Sequence, residues 1–133
     1  MPRPTVAEID LAAVVHNLRA LRAHITPRVE VMGMVKADAY GHGAVAVGRA
    51  LTLEGVRRLA VAVVEEAVAL HDAGVAGRLL VLGAPSERQA EEIAGYGFEC
   101  VLSEMAFARA LDRVARRMER RVPVHVKFDT GMG

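Results

Sequence analysis

Apolar residues recur along this chain in two alternating rhythms, one suited to helices and one to buried strands. Leu11, Val14, Leu18, Leu21 and Ile25 follow at steps of three and four, a helix face that Asp10 is suited to cap and Pro27 to end. A short extended start, Thr5 to Ile9, precedes it. Val29 to Val35 reads as a strand, and Ala44 to Glu54 as a helix closed by Gly55. Leu59 to Val64 is apolar throughout, as a strand covered on both faces requires. Glu65 to Ala73 reads as a short helix stopping at Gly74, and Leu79 to Leu82 as another wholly apolar strand. Ser86 with Gln89 forms a capping-box pattern for a helix running to Gly95. Phe98 to Leu102 is the next strand, Ser103 is placed to cap a long helix carrying Phe107, Leu111, Val114 and Met118, and Val122 to Phe128 is the fifth strand.

Strands alternating with helices in this way predict repeated βα units and a parallel α/β sheet, either doubly wound or a barrel. A doubly wound nucleotide fold favours a glycine-rich turn after its first strand. Lys36-Ala37-Asp38-Ala39-Tyr40-Gly41-His42-Gly43 lacks the GxGxxG spacing, so a TIM-type (β/α) barrel is preferred. An eight-stranded barrel takes about 250 residues. Residues 1–133 are therefore expected to supply an incomplete barrel of about five strands, the amino-terminal part of a longer domain or a half that needs a partner chain.

Composition narrows the function. Apolar residues make up 53% and aromatics only 4% of 133 residues, so Ala, Val and Leu must build the core. A formal net charge of +1 argues against a chain devoted to gripping nucleic acid or an acidic membrane. The arginines of the last helix, from Arg109 to Arg121, are interrupted by Asp112 and Glu119 and carry no stacking aromatics, which fits a solvated face. The longest stretch without a charged residue, Ala39 to Gly48, falls far short of the roughly 20 residues of a membrane span. Met1-Pro2-Arg3-Pro4 lacks an apolar signal core, and the single Cys100 sits in an apolar run as a buried thiol would. A reducing, cytoplasmic setting is the expectation, with no metal site.

Of the 17 basic residues only two are lysines, Lys36 and Lys127. Strand alternation puts Lys36 on one face with Glu30, Met32 and Met34, and Val29, Val31 and Val35 on the other. Lys127 shares its face with Pro123 and His125, opposite Val122, Val124, Val126 and Phe128. Both lysines thus fall at carboxyl ends of parallel strands on the face assigned to the interior, the rim where catalytic side chains gather in such folds. A lysine amine can lose its proton and attack a carbonyl, which a guanidinium cannot.

The run Val35-Lys36-Ala37-Asp38-Ala39-Tyr40-Gly41-His42-Gly43 resembles the pyridoxal-phosphate signature of alanine racemases. Ala7-Glu8-Ile9-Asp10-Leu11 with Asn17, and Lys127-Phe128-Asp129-Thr130-Gly131-Met132-Gly133, agree in order and approximate spacing; Val6 departs from a frequent Trp. The resemblance spans the chain but only about the first third of the family's length. It implies the cofactor pyridoxal 5'-phosphate, held as a Schiff base by Lys36, which is also the base for the α-proton on the D-alanine side. It implies that Tyr40 hydrogen-bonds the cofactor phosphate, and that Lys127 is a position carbamylated in many members, as N6-carboxylysine. Asp38, Gly41 and Gly43 are expected to shape the turn. His42 stands near a helix amino terminus, either beside phosphate or in a structural role.

The implied reaction is the interconversion of L-alanine and D-alanine, supplying peptidoglycan, in a cytoplasmic homodimer. The resemblance implies that the opposing base is a tyrosine from the carboxyl-terminal β domain of the partner subunit, and no residue here matches it. Alternatives are a racemase of other specificity, such as serine, and a non-catalytic pyridoxal-phosphate-binding barrel protein.

Overall fold

Asp10 opens the first helix as its position suggests: its Oδ1 accepts from the N–H groups of Ala12 at 2.8 Å and Ala13 at 3.1 Å. The computed structural model describes residues 5–131; Met1 to Pro4, and Met132 and Gly133 of the closing motif, lie outside the described residues. Thr5 to Asp10 leads in without joining the sheet. The elements follow in the order α1 (Leu11–His24), β1 (Met32–Met34), α2 (Lys36–Gly41), α3 (Ala44–Leu53), β2 (Arg58–Val61), α4 (Val64–Asp72), β3 (Arg78–Val81), α5 (Ala90–Tyr96), β4 (Glu99–Leu102), α6 (Met105–Arg117) and β5 (Val124–Val126).

The five strands form one parallel sheet in the order β1-β2-β3-β4-β5. This is the expected incomplete (β/α) barrel, with the wall not closed within these residues. Most strands are shorter than the apolar runs that announced them, and β3 keeps its length but starts one residue earlier, at Arg78. Only Met32–Met34 of the run Val29 to Val35 forms β1, and Val29 is exposed.

Two apolar layers sandwich the sheet. On the helix side Val35, Leu59, Val61, Leu79, Val81 and Cys100 pack with Val47, Leu70, Ile93, Phe107 and Leu111. Leu59, Leu70 and Ile93 are among the largest fully buried side chains, each contributing about 2 kcal/mol through area removed from water. On the interior side Ala60, Leu80 and Val101 form a smaller cluster flanked by Met32 and Leu82. The strand phase read from the sequence holds: Val35 lies under the helices and Met32 inside.

Two local expectations are revised. Ser103 does not cap α6; its N-cap is Glu104, which makes no side-chain capping bond, so packing of Phe107, Ala110 and Leu111 anchors the helix. Ser86 and Gln89 do interact, the Ser86 N–H donating to Gln89 Oε1 at 3.0 Å, but a 3₁₀ turn, Glu87–Gln89, precedes the α-helix proper.

The basic face of α6 is engaged locally. Arg116 binds Asp112 at 2.9 Å, Arg117 pairs with Glu91, and just past the helix end Arg120 donates to the carbonyls of Ala94 and Gly95. No helix among the described residues is long and apolar enough to cross a membrane.

Candidate active site

The interior is stratified along the strand axis. At the amino-terminal ends of the strands Glu99, only 3% exposed, collects three partners. Arg58 Nε donates to its Oε1 at 3.4 Å, Arg78 Nη1 to the same oxygen at 3.5 Å, and His125 Nε2 lies 2.9 Å from Oε2. Arg58 also reaches Glu30 at 2.5 Å. Burial pushes the Glu99 carboxyl up, but the His125 hydrogen bond and the Arg58 charge outweigh it and hold the group below its ordinary range. Above this layer lies the apolar cluster, and above that the two lysines.

Lys36 and Lys127 follow strands on opposite edges of the sheet, yet both line one cleft of about 650 Å³, so the sheet curls as a barrel wall does. Leu82 and Val101 form apolar walls; Ala62 and Gly83 keep the space open between them. A side chain at Gly83 would meet the Ala62 carbonyl oxygen at 2.5 Å. The Lys127 backbone is fixed by its N–H bond to the Leu102 carbonyl at 2.9 Å. The Lys36 Nζ lies 5.9 Å from the centroid of the exposed Tyr40 ring.

The segment carrying Lys36 has an unusual backbone. Ala37, Asp38, Ala39 and Tyr40 all adopt left-handed helical angles, with φ between 50 and 56°. For residues with a Cβ this costs roughly 1–2 kcal/mol each, so long-range contacts must hold it. Gly41 and Gly43 continue at φ 83 and 87°, as expected of turn glycines. Asp38 shapes the exit by accepting the Ala44 N–H on Oδ1 at 2.7 Å. His42 turns inward on its own loop, Nδ1 lying 2.9 Å from the Ala39 carbonyl, which suits the structural role.

Two polar groups escaped the sequence. Glu66 accepts the Ala37 N–H on Oε1 at 2.6 Å and the Ala62 N–H on Oε2 at 2.8 Å. Its only signal was an acid at the third position of a helix whose N-cap, Val63, has no capping side chain. Glu99 stood as a lone acid in an apolar run. Cys100 is a buried thiol as expected, pushed up to about 11 by desolvation.

These residues suit an aldehyde of cofactor size. The cleft volume falls within the usual ligand range, its walls are apolar, and two amines stand at its mouth. Among the described residues neither lysine side chain is tied up in a salt bridge, and no cluster of His, Cys, Asp or Glu side chains could hold a metal. A second cleft, about 510 Å³ and bordered by Arg22, Arg28 and Arg57, has no lysine on its wall.

The family profile described as "Alanine racemase, N-terminal domain" matches residues 9–133. "Alanine racemase 2" of Caldanaerobacter subterraneus subsp. tengcongensis is 42% identical over 131 residues, covering 98% of this chain and 34% of that protein. The alanine racemase of Symbiobacterium thermophilum is 46% identical over a similar span, again 98% and 34%. Among solved structures, alanine racemase from Bacillus anthracis with bound L-Ala-P superposes with a TM-score of 0.90 at 31% identity, over 100% of this chain and 34% of that one. Alanine racemase from a D-cycloserine-producing Streptomyces lavendulae gives a TM-score of 0.89 at 38% identity, over 99% and 35%. The chain therefore spans about a third of the length of the relatives it matches, in sequence and in fold alike, and it belongs to the alanine racemase family.

Proposed function

We infer that this chain is the amino-terminal barrel portion of a pyridoxal-phosphate-dependent enzyme that interconverts L- and D-alanine. The observation that carries this reading is the meeting of Lys36 and Lys127 at one cleft, with Lys36 inside the matching motif. That the relatives are alanine racemases favours alanine over serine or another amino acid. The fuller reading is a homodimeric, cytoplasmic protein acting on a small amino acid and supplying D-alanine for peptidoglycan, with the rest of the barrel and a further domain outside residues 1–133.

In this reading Lys36 holds the cofactor covalently through its ε-amine, and Tyr40 donates its hydroxyl to the phosphate. When bound, pyridoxal 5'-phosphate supplies a conjugated ring that delocalises the electron pair left at the substrate α-carbon. Once the substrate amine takes its place, the freed Lys36 Nζ would accept and return the α-proton on one face. The base for the other face comes from outside this chain, so residues 1–133 alone are not expected to racemise alanine. Leu82 and Val101 keep water from one flank of the cleft. Lys127 as a carbamate would turn a cation into an anion able to orient a neighbouring arginine.

The test is to add pyridoxal phosphate to the full-length protein, reduce with borohydride and map the pyridoxyl label, alongside an assay of L- to D-alanine conversion. A label on Lys36 and conversion lost in Lys36→Ala support the reading. A label confined to another residue, or conversion that survives Lys36→Ala, overturns it.

A further inference from the structure

Lys36 sits between two pinned neighbours. On its amino side Val35 is fully buried, and its N–H donates to the Ala60 carbonyl of β2 at 2.9 Å. On its carboxyl side the Ala37 N–H donates to Glu66 Oε1 at 2.6 Å. The direction in which the Lys36 side chain leaves the backbone is fixed between these two bonds.

Glu66 is itself held firmly. Its other oxygen accepts the N–H groups of Ala62 at 2.8 Å and Val63 at 3.3 Å, just past the end of β2. Its helix, α4, is rooted by Val64, Ala67 and Leu70, each no more than 1% exposed. One carboxylate thus clasps the carboxyl ends of β1 and β2 together. At the ends of α2 the backbone bonds run from Ala39 N–H to Val35, His42 N–H to Ala39 and Gly43 N–H to Asp38, and the Ala37 N–H is bonded by a side chain of α4. A bond from an ionised acceptor is the stronger kind, and here it acts on the first of four left-handed residues.

We propose that Glu66 is a positioning residue: its carboxylate holds the left-handed turn and so aims Lys36 into the cleft. That the aimed amine serves cofactor attachment rests on the function inferred above; that Glu66 holds the turn does not.

The experiment uses the full-length protein with Glu66→Gln, Glu66→Ala and each of these combined with Ala37→Gly. Glutamine keeps one acceptor oxygen and cannot serve both strand ends. Glycine at 37 takes left-handed angles without a Cβ penalty, so it restores the turn when the clasp is gone. Two readouts are followed: amide hydrogen exchange in peptides covering residues 37–43, and the rate at which pyridoxal phosphate labels Lys36. Glu66→Gln is expected to speed exchange in that segment about tenfold and slow labelling by a similar factor, with peptides from β3 and α5 unchanged. Ala37→Gly is expected to recover most of both effects.

Unchanged exchange and labelling in both Glu66 variants would overturn the proposal. So would a loss of protection spread over α4 that Ala37→Gly fails to rescue, because Glu66 would then be acting only as a helix cap. If the unmodified protein takes no label at Lys36, the cofactor reading fails, and the exchange measurement alone decides whether Glu66 holds the turn.

Discussion

Glu99 and His125 meet across β4 and β5, carboxylate Oε2 to imidazole Nε2, at 2.9 Å, with the acid almost wholly buried and the histidine half-exposed. The carboxyl is held below its ordinary range, so its contribution to stability is fully present at neutral pH. That contribution fades as the pH drops below the unfolded value of about 4.3 and on through the lowered folded value. Glu99→Gln is expected to lose about 1–3 kcal/mol at pH 7, with the gap to the parent narrowing steadily under acid. Urea melts between pH 7 and 3 measure it, and a gap that widens on acidification would refute the assignment.

Lys127 is expected to gain the mass of one carbon dioxide in bicarbonate buffer if the carbamate reading is right. Intact mass of the full-length protein, followed by mapping under conditions that preserve the adduct, checks this. Lys127→Arg should abolish the gain. An unmodified amine at saturating bicarbonate would remove the carbamate from the scheme.

Cys100 should be inert while the chain is folded. Desolvation lifts the thiol to about 11, so at pH 8 its thiolate is scarce, and the side chain is fully buried. Reaction with a disulfide reagent is expected to run at least about 100-fold slower than in denaturant. Comparable rates in the two states would contradict the burial.

Leu59 and Gly33 share one space beneath the helices. A Cβ on Gly33 would come within 2.8 Å of Leu59 Cδ2 and of Leu51 Cδ1. Gly33→Ala is expected to destabilise by about 1–3 kcal/mol through overpacking, and Leu59→Ala by about 3 kcal/mol through the cavity it leaves. Together they should cost clearly less than the sum, because the small residue at 59 makes room for the methyl at 33. Strict additivity in a double-mutant cycle would mean that the two do not share the space.

Much of this was legible in the sequence because it depends on local periodicity. The alternation through Met32, Met34 and Lys36 fixed which side of β1 faces inward, and Asp10 announced its helix. The left-handed path of α2 was hidden because Ala37, Ala39 and Tyr40 have no local preference for it and Asp38 alone tolerates it. What holds Ala37 there is Glu66, 29 positions away. The ionic layer was hidden for the same reason, since Arg58, Arg78 and His125 stand 41, 21 and 26 positions from Glu99. Ser103 misled because a serine before an apolar helix resembles a cap, whereas the chain enters α6 one residue later through Glu104.

The order β1-β2-β3-β4-β5 has a consequence for handling the chain in solution. β1 and β5 are the outermost strands, and among the described residues no further strand lies beyond either. Rows of backbone donors and acceptors at such margins template pairing with other molecules, a route to aggregation. Both margins are only three residues long, and Pro123 stands immediately before one of them, features that blunt edge-to-edge growth. Residues 1–133 on their own should therefore stay dispersed when dilute and cluster as they are concentrated, with the sheet margins as the adhesive sites.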